Sequence, residues 1–324
     1  MQHFSNPLRV LVVDDTVLYR KILSDVISNI PGLKVIGTAA NGKIALSPMT
    51  TPQITPEEIK PVADYIFQIC GIVLDASKDY LIESRLGPLA IELECNSYQA
   101  LVFKAKSNTA IEHRVIDAIS TNETSFFRDH SPFELFQHKI IPDHIDHLNG
   151  ASKTLSIWSA ASSTGQEIYT IAILLKELLP DFNTWNIRLL GTDISEAAIT
   201  QASAGRYNQV EIQRGLPPDK RDRYFDIQGN IWQIKDELRA TASFRKLNLC
   251  DQFTNLGKFD IIFCRNVAIY FGSDTRKDLF GRLANQLNPH GTLIIGSTES
   301  LLCITDRFDR QEYHNSVYYT LKST

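Results

Sequence analysis

The sequence predicts an α/β fold built around a mostly parallel sheet. Apolar runs typical of buried strands alternate with helical patterns through the second half of the chain. One run leads through a loop of small residues to Gly165 and then into an amphipathic helix, which is the layout of a strand followed by a ligand-binding turn. The strand-like runs lie at residues 156–160, 187–193, 244–249, 259–264, 292–296 and 316–321, and residues 289–291 are predicted to form a turn.

The composition is that of a globular protein with two or three domains, with 324 residues, 43% hydrophobic and 22% charged. A net charge of -4 gives no electrostatic case for binding nucleic acid or an anionic membrane. No apolar run approaches the ~18 residues of a membrane span, and the first residues lack the pattern of a signal peptide. The five scattered cysteines have no metal-site spacing. We therefore expect a cytoplasmic protein with reduced thiols, no metal site, no nucleic-acid partner and no direct membrane insertion.

The beginning of the chain has a strand–helix–strand pattern. An apolar run at residues 8–13 ends in the acidic pair Asp14 and Asp15. The pattern resembles the opening of a response-regulator receiver domain, especially that of the chemotaxis methylesterase, in which such a pair helps to hold Mg²⁺ beside a phosphorylated aspartate. The third strand, the phosphoacceptor and the later lysine of that domain are missing. We therefore interpret residues 1–46 as a truncated receiver-like segment without phosphotransfer activity, which docks on its neighbour or on another copy because its apolar strands need cover.

A linker and a small helical domain are predicted next. Residues 47–56 are rich in proline and threonine, and helical patterns recur through residues 57–130, starting with a capping box formed by Thr55 and Glu58. The basic residues of this domain either face an acidic partner or, more commonly, only solvate the helices. These residues are Lys78, Arg85, Lys104 and Lys106.

Two acidic residues indicate the kind of ligand that the sheet binds. Glu167 lies in the first turn of the helix after Gly165, where a carboxylate would repel a pyrophosphate but suits a cationic ligand. This favours S-adenosylmethionine, whose amino and sulfonium groups are positive, over NAD. Asp193 ends the next strand, where an acid can receive the hydroxyls of a ribose. On the stretch around Gly165 alone, an ordinary strand-to-helix turn remains the alternative.

Polar side chains at the ends of other elements are expected at the same rim of the sheet. In the segment at residues 119–128, polar groups accompany Phe126 and Phe127, which we expect to anchor it in the core. This segment either offers Asn122 and Thr124 to a ligand or is simply a capped turn. The residues predicted to face the ligand after the strands are Asn248, Leu249, Arg265, Asn266 and Tyr270.

Strands alternating with helices and a terminal pair of strands are typical of the Rossmann-like, seven-stranded sheet of class I S-adenosylmethionine-dependent methyltransferases. We predict this domain at residues 131–324, after the N-terminal helical domain. A small β insertion is predicted at about residues 207–240, with a two-residue hairpin turn at Gly229 and Asn230.

Five motifs in a shared order resemble those of the bacterial chemotaxis receptor glutamate methyltransferases, the CheR family. The motifs are STNETSFFR (residues 120–128), WSAASSTGQE (158–167), GTDI (191–194), FCRNVAIYF (263–271) and GSTESL (296–301). The resemblance covers about residues 55–322. It implies transfer of a methyl group from S-adenosylmethionine to glutamate side chains on the cytoplasmic domain of methyl-accepting chemotaxis receptors, giving a glutamate methyl ester and S-adenosylhomocysteine.

The resemblance also implies roles for the rim residues, with Arg128 and Tyr270 positioning the reacting groups. Residues implied to bind S-adenosylmethionine are Asn122, Thr124, Arg128, Glu167, Asp193, Asn248, Leu249, Arg265 and Asn266. The chain departs from the family in two places, since Gln166 replaces an acid and His144 lies near the expected place of a further basic residue. The short turn at Gly229 also argues against the pentapeptide tethering of some members.

The implied reaction makes modest chemical demands. A glutamate with a pKa of ~4.3 is ionised at neutral pH, so no general base is needed, only alignment of oxygen, methyl carbon and sulfur. Two other functions remain open. An NAD-dependent oxidoreductase is disfavoured because G-x-G-x-x-G is absent. A noncatalytic chemotaxis signalling adaptor would use the receiver-like segment as its working part.

Overall fold

The computed structural model describes residues 8–41, 52–74, 79–148, 153–179, 181–314 and 316–322. These residues form two compact units. The N-terminal unit comprises the described residues up to Ile66 together with Leu74–Ile119, and the C-terminal unit comprises Phe67–Val73 and the described residues from Ser120 onward. Among the described residues, no helix is both long and apolar enough to cross a bilayer.

The first described segment has the predicted strand–helix–strand order. Its elements are β1 (Leu8–Val13), α1 (Val17–Ser28) and β2 (Leu33–Ala39), and the two strands pair in parallel. The carboxylate of Asp14 accepts the N–H of Thr16 at 2.8 Å, and the buried guanidinium of Arg20 donates to the Asp14 carbonyl. Several apolar side chains of this segment remain exposed, among them Leu8 and Leu18.

The rest of the N-terminal unit is helical. Its helices are α2 (Pro56–Cys70, whose last four residues belong to the C-terminal unit), α3 (Asp79–Glu92), α4 (Tyr98–Ser107) and α5 (Thr109–Ile119). Pro56 begins α2 as predicted, and the Glu58 carboxylate accepts the N–H of Thr55 at 3.2 Å, which is one half of the predicted capping box. The first half of the predicted linker, residues 47–51, lies outside the described residues.

The basic residues singled out in this unit have partners within it. Arg85 donates to the Ile119 carbonyl and Lys104 to the Leu93 carbonyl, each at 2.6 Å. The ammonium of Lys106 lies 5.5 Å from the centre of the Tyr65 ring. These contacts favour a structural role for the three cations, while Lys78 lies outside the described residues.

The C-terminal unit is built on a seven-stranded sheet. The strands of the whole unit, including three that belong to a second sheet, are β3 (Thr154–Ala160), β4 (Asn186–Asp193), β5 (Arg206–Asn208), β6 (Phe225–Gln228), β7 (Ile231–Ile234), β8 (Ala242–Lys246), β9 (Phe259–Cys264), β10 (Leu287–Ile295), β11 (Phe308–Tyr313) and β12 (Ser316–Leu321). The large sheet has the order β8-β4-β3-β9-β10-β12-β11. The first five strands of that order are parallel, and β12 is antiparallel to both of its neighbours. This is the predicted class I methyltransferase architecture.

Helices cover both faces of this sheet, which explains the nearly continuous apolar runs of its central strands. Ile261 and Phe263 of β9 pack in one core cluster, while Ile262 and Cys264 pack in a second cluster on the other face. The helices are α6 (Ser131–Leu135), α7 (Ile141–Leu148), α8 (Gln166–Leu178), α9 (Glu196–Ala204), α10 (Gln209–Gln213), α11 (Pro218–Tyr224), α12 (Asp236–Arg239) and α13 (Ser273–Gln286). A π-helical turn at Phe136–Ile140 joins α6 to α7, and 3₁₀ turns occur at Phe182–Thr184 and Ala268–Tyr270.

A separate three-stranded sheet, β5-β7-β6, lies within the predicted insertion. Gln228 pairs with Ile231, so Gly229 and Asn230 form the predicted two-residue turn. Phe126 packs edge-on against Phe225 at 5.5 Å between ring centres, and both Phe126 and Phe127 are buried as predicted.

Two strand boundaries differ from the prediction. A turn was expected at residues 289–291, but they lie within β10, whose register against β9 shifts between Leu287 and Thr292. Proline and glycine are tolerated there because the irregularity interrupts the ladder of hydrogen bonds. The strand predicted to reach Leu249 ends at Lys246, and Leu247 to Leu249 continue as a loop.

Candidate functional site

A cleft within the C-terminal unit brings the predicted site residues together. It lies where β3, β4, β8 and β9 end, as expected for a ligand site in a parallel sheet. All ten predicted residues line it, namely Asn122, Thr124, Arg128, Glu167, Asp193, Asn248, Leu249, Arg265, Asn266 and Tyr270.

The loop between β3 and α8 uses its main-chain donors internally. The N–H of Ser162 donates to the Thr192 carbonyl at 2.8 Å, and that of Ser163 donates to the Asp193 carboxylate at 2.8 Å. The N–H of Gly165 donates to the Ser162 carbonyl at 3.1 Å. A dinucleotide site needs free amides to bind a pyrophosphate, and these three are already occupied. The loop therefore disfavours the NAD-dependent alternative.

Gly165 has the positive φ that the sequence predicts, at 95°. A Cβ at this position would lie 2.9 Å from the Cβ of Ala202 and 3.2 Å from the hydroxyl of Tyr207. Ala161 and Ser163 also have positive φ, at 63° and 50°. Small side chains and a close approach to α9 give this loop its shape.

Asp193, at the end of β4, is buried and held by main-chain donors. One carboxylate oxygen accepts the N–H of Ser163 at 2.8 Å, and the other accepts the N–H of Ser195 at 2.9 Å. A carboxylate has about four lone-pair positions, so each oxygen can also accept a hydroxyl from a ligand. The side chain is thus fixed in place and still able to receive a ribose.

Glu167 belongs to an ion cluster, which the sequence analysis did not predict. Its carboxylate accepts the hydroxyl of Ser159 at 2.8 Å and pairs with Arg265 at 2.6 Å. Arg265 pairs in turn with Asp129 at 2.9 Å and donates to the Arg128 carbonyl at 2.7 Å. Only 2% of the Arg265 side chain is exposed, so removing either acid would leave a buried charge poorly compensated. The charge of Glu167 is therefore shared with Arg265, which also lines the cleft.

The segment at residues 120–128 contributes one wall of the cleft. The Asn122 carbonyl accepts the hydroxyl of Ser163 at 3.0 Å, and its side-chain amide donates to the hydroxyl of Ser195 at 3.4 Å. Arg128 is half-buried, and its guanidinium donates to the Glu123 carbonyl at 2.8 Å. Both side chains are thereby held at the cleft wall.

A second wall comes from the loop after β8. The Asn248 side chain donates to the Ile69 carbonyl and accepts the N–H of Cys250, both at 3.0 Å. Leu249 is buried. Cys70 also lines the cleft, but burial raises the pKa of its thiol to about 12, so it is protonated at neutral pH and a poor nucleophile.

The loop after β9 completes the cleft. Asn266 has a φ of 56°, and its N–H donates to the Glu299 carboxylate at 2.8 Å. Tyr270 is half-buried, and its carbonyl accepts the N–H of Val73 at 2.9 Å. Both ends of this loop are fixed by hydrogen bonds.

The two departures from the family pattern lie in different surroundings. Gln166 is buried, and its side-chain amide oxygen accepts the hydroxyl of Thr164 at 2.8 Å, so a neutral side chain is satisfied there. His144 is 3.0 Å from the carbonyl of Thr154, at the start of β3 and away from the carboxyl ends of the strands. His144 therefore does not supply a cation to the cleft.

Sequence reasoning missed Asp129 and assigned no role to Glu299, although both fix residues that line the cleft. Asp129 directly follows a predicted site residue, and Glu299 lies in a quoted motif, so both were visible as isolated acids. Their partners are 136 and 33 residues away, and no local pattern identifies such pairs.

The chemistry of the cleft suits S-adenosylmethionine. The fixed carboxylate of Asp193 has lone pairs that can accept the hydroxyls of a ribose. The loop amides of Ser162, Ser163 and Gly165 are not available for phosphates.

Comparison with known proteins gives the same result. The all-alpha domain of CheR methyltransferases matches residues 57–120, and their SAM-binding domain matches residues 122–317. A chemotaxis protein methyltransferase of Vibrio parahaemolyticus is 36% identical over 284 residues, covering 85% of this chain and 100% of that protein. Chemotaxis protein methyltransferase 1 of Pseudomonas aeruginosa is 36% identical over 267 residues, covering 80% and 95%. The chemotaxis protein methyltransferase of Borreliella burgdorferi is 37% identical over 255 residues, covering 76% of this chain and 89% of that protein.

The predicted fold class, enzyme class and cofactor are confirmed by these matches. Residues 1–56 precede both matched domains. The chain belongs to the CheR family of S-adenosylmethionine-dependent methyltransferases.

Proposed function

We propose that this methyltransferase modifies glutamate side chains on the cytoplasmic domain of methyl-accepting chemotaxis receptors, forming glutamate methyl esters and S-adenosylhomocysteine. The observation that carries the proposal is the convergence of all ten predicted site residues on one cleft. The names of the related chemotaxis protein methyltransferases support the choice of substrate. No described residue near the cleft needs to act as a general base, because the acceptor carboxylate is already ionised at neutral pH.

In the proposed binding mode, Asp193 receives the ribose hydroxyls, and Asn248 and Leu249 flank the adenosine. Asn122, Thr124, Glu167, Arg265 and Asn266 complete the binding set with Arg128. When bound, S-adenosylmethionine supplies an electrophilic methyl group on a positive sulfur. The side chains of the cleft hold this donor in one orientation and exclude water from it.

Arg128 and Tyr270 have the positioning roles in this proposal. The Arg128 guanidinium attracts the glutamate carboxylate, and Tyr270 lies beside the transferred methyl group. The glutamate oxygen forms a bond to the methyl carbon while the carbon–sulfur bond breaks. The electron pair of the broken bond stays on sulfur. Alignment of the three reacting atoms can supply ~7 to 11 kcal/mol in ideal cases.

The decisive experiment is transfer of labelled methyl groups to receptor-bearing membranes. We expect base-labile label on receptor glutamates with the full chain and also after removal of residues 1–50. Label that survives mild base would point to a different acceptor. No label from either form would instead favour the noncatalytic adaptor.

We further propose that residues 1–46 are a receiver-like remnant without phosphotransfer activity. The parallel β1 and β2 and the acidic pair at Asp14 support the likeness. The guanidinium of Arg20 contacts the Asp14 carbonyl. A positive charge of the chain itself therefore lies beside the acidic pair, where a receiver domain would hold Mg²⁺. Docking of the segment on its neighbour or on another copy remains a prediction, supported by its exposed apolar side chains.

We propose a cytoplasmic location, since none of the five cysteines forms a disulfide in the described part of the chain and the receptor domain to be modified is cytoplasmic. We also propose that the receptor is recognised without pentapeptide tethering, because only Gly229 and Asn230 separate β6 from β7. In the transfer assay, a free peptide with the receptor's last five residues should leave the rate unchanged. Inhibition by that peptide would contradict the absence of tethering.

A further inference from the structure

The motif at residues 296–301 has no role in the proposed mechanism, yet one of its side chains holds the cleft together. A single oxygen of Glu299, Oε2, accepts the N–H of Asn266 at 2.8 Å and the N–H of Gly296 at 2.7 Å. Asn266 follows β9 and has a φ of 56°, in the left-handed region that non-glycine residues adopt at a cost. The carboxylate thus fixes a strained residue of the cleft wall.

Gly296 is suited to this close arrangement. A Cβ there would lie 2.6 Å from the Glu299 carboxylate and 3.0 Å from both the main-chain and side-chain nitrogens of Asn266. Only a residue without a side chain lets the ends of β9 and β10 share one carboxylate. The three residues form a single structural connection between two neighbouring strand ends.

The other oxygen of Glu299 has no comparable structural role. Oε1 is buried and has no hydrogen-bond partner among the described residues. A buried acceptor without a partner has a free-energy cost, so this carboxylate is not optimised for stability alone. The carboxylate of Glu299 instead acts locally, because it fixes the conformation of the Asn266 backbone.

We propose that Glu299 is a positioning residue for methyl transfer, which rests on the proposed function. It sets the backbone at Asn266, and the 3₁₀ turn at Ala268–Tyr270 follows directly. The far end of this loop is held where the Tyr270 carbonyl accepts the N–H of Val73 at 2.9 Å. Glu299 therefore controls the arrangement of Arg265, Asn266 and Tyr270 without touching the ligand.

The test compares Glu299→Ala, Glu299→Gln and a control, Asp260→Ala. Asp260 is also a carboxylate that accepts a main-chain N–H, that of Ser156 at 2.8 Å, but it lies at the start of β9, at the opposite end from the cleft. Calorimetry with S-adenosylhomocysteine gives the dissociation constant, thermal unfolding gives the Tm, and the transfer assay gives kcat and KM.

We expect Glu299→Ala to weaken S-adenosylhomocysteine binding by about tenfold. The amides of Asn266 and Gly296 then lack their charged acceptor, so ligand binding must order the ends of β9 and β10. The kcat should fall as well, because Tyr270 is displaced. Glu299→Gln keeps an acceptor oxygen and should recover most of both losses. Asp260→Ala should lower the Tm while leaving the dissociation constant and kcat close to those of the wild type.

Equal effects of Glu299→Ala and Asp260→Ala on binding and kcat, at a similar loss of Tm, would overturn the positioning role. So would a Glu299→Gln enzyme as impaired as Glu299→Ala. Failure of the wild type to methylate receptors would refute the substrate assignment instead, and the binding comparison would still decide whether Glu299 organises the cleft.

Discussion

At the scale of single residues, the acids of the cleft are fixed in place before any ligand binds. Asp193 accepts two main-chain amides, and Glu167 accepts a serine hydroxyl and the guanidinium of Arg265. Side chains held in this way lose little conformational entropy when a ligand arrives. The cost is that each acid has both a structural and a binding role, so its removal affects both.

Substitution of Asp193 separates these two roles. Asp193→Ala should weaken S-adenosylhomocysteine binding by at least about tenfold and also destabilise the fold, because the amides of Ser163 and Ser195 lose their acceptors. Removing both ribose hydroxyls from the ligand should weaken binding to the wild type but cause little further loss in Asp193→Ala. Equal losses for the two proteins, measured by calorimetry, would show that Asp193 does not receive the ribose.

The residues that sequence reasoning identified share a simple property. Asp193 and Arg265 each follow directly from an apolar run that forms a strand, so their place at the rim could be predicted from the chain order. The ion pairs were not predictable, because Glu167 and Arg265 are 98 residues apart and only the folded sheet brings them together.

At the scale of elements, the turn from β3 into α8 depends on close packing against α9. The positive φ of Gly165 could be predicted from its place between an apolar run and a helix. The contact with Ala202 could not, since it depends on where α9 lies in the fold. The boundary error in β10 has a similar origin, because Pro289 and Gly291 indicate a turn locally while pairing with β9 continues beyond them.

Gly165→Ala tests this packing, with Gly229→Ala as its control. Both glycines have positive φ, at 95° and 63°, but a Cβ at Gly165 meets Ala202 at 2.9 Å, whereas one at Gly229 meets nothing within 4 Å. We expect a loss of unfolding free energy of about 2 to 4 kcal/mol for Gly165→Ala and about 1 kcal/mol for Gly229→Ala, measured with denaturant. Ligand affinity should fall only in Gly165→Ala. Equal losses for the two variants would contradict the role of α9.

At the scale of the whole molecule, the C-terminal unit keeps protonated thiols in its interior. Burial raises the pKa of Cys70 to about 12 and that of Cys264 well above its usual value. Both thiols ionise more readily in the unfolded chain than in the folded one. Their contribution to stability is therefore complete below the unfolded pKa, near 9, and is lost as the pH rises toward the folded pKa.

We accordingly expect the unfolding free energy to fall between pH 8 and pH 10, because the unfolded chain releases thiol protons that the folded chain retains. In Cys70→Ala this decrease should be smaller, whatever the variant's stability at pH 8. Cys303 is exposed, so Cys303→Ala should keep the wild-type decrease. An unchanged pH dependence in Cys70→Ala would mean that the thiol titrates normally in the folded protein.

The occupied amides of the loop between β3 and α8 also limit how the enzyme can be redesigned. Ser162 and Gly165 donate to main-chain carbonyls, so these two amides stay occupied even when a basic side chain replaces Asp193, and the loop then offers no continuous nest of free donors for a diphosphate. Conversion into a nicotinamide-dependent enzyme would require a new backbone path for the whole turn. Changes confined to side chains can alter how tightly the methyl donor is held, but not which class of coenzyme the scaffold accepts.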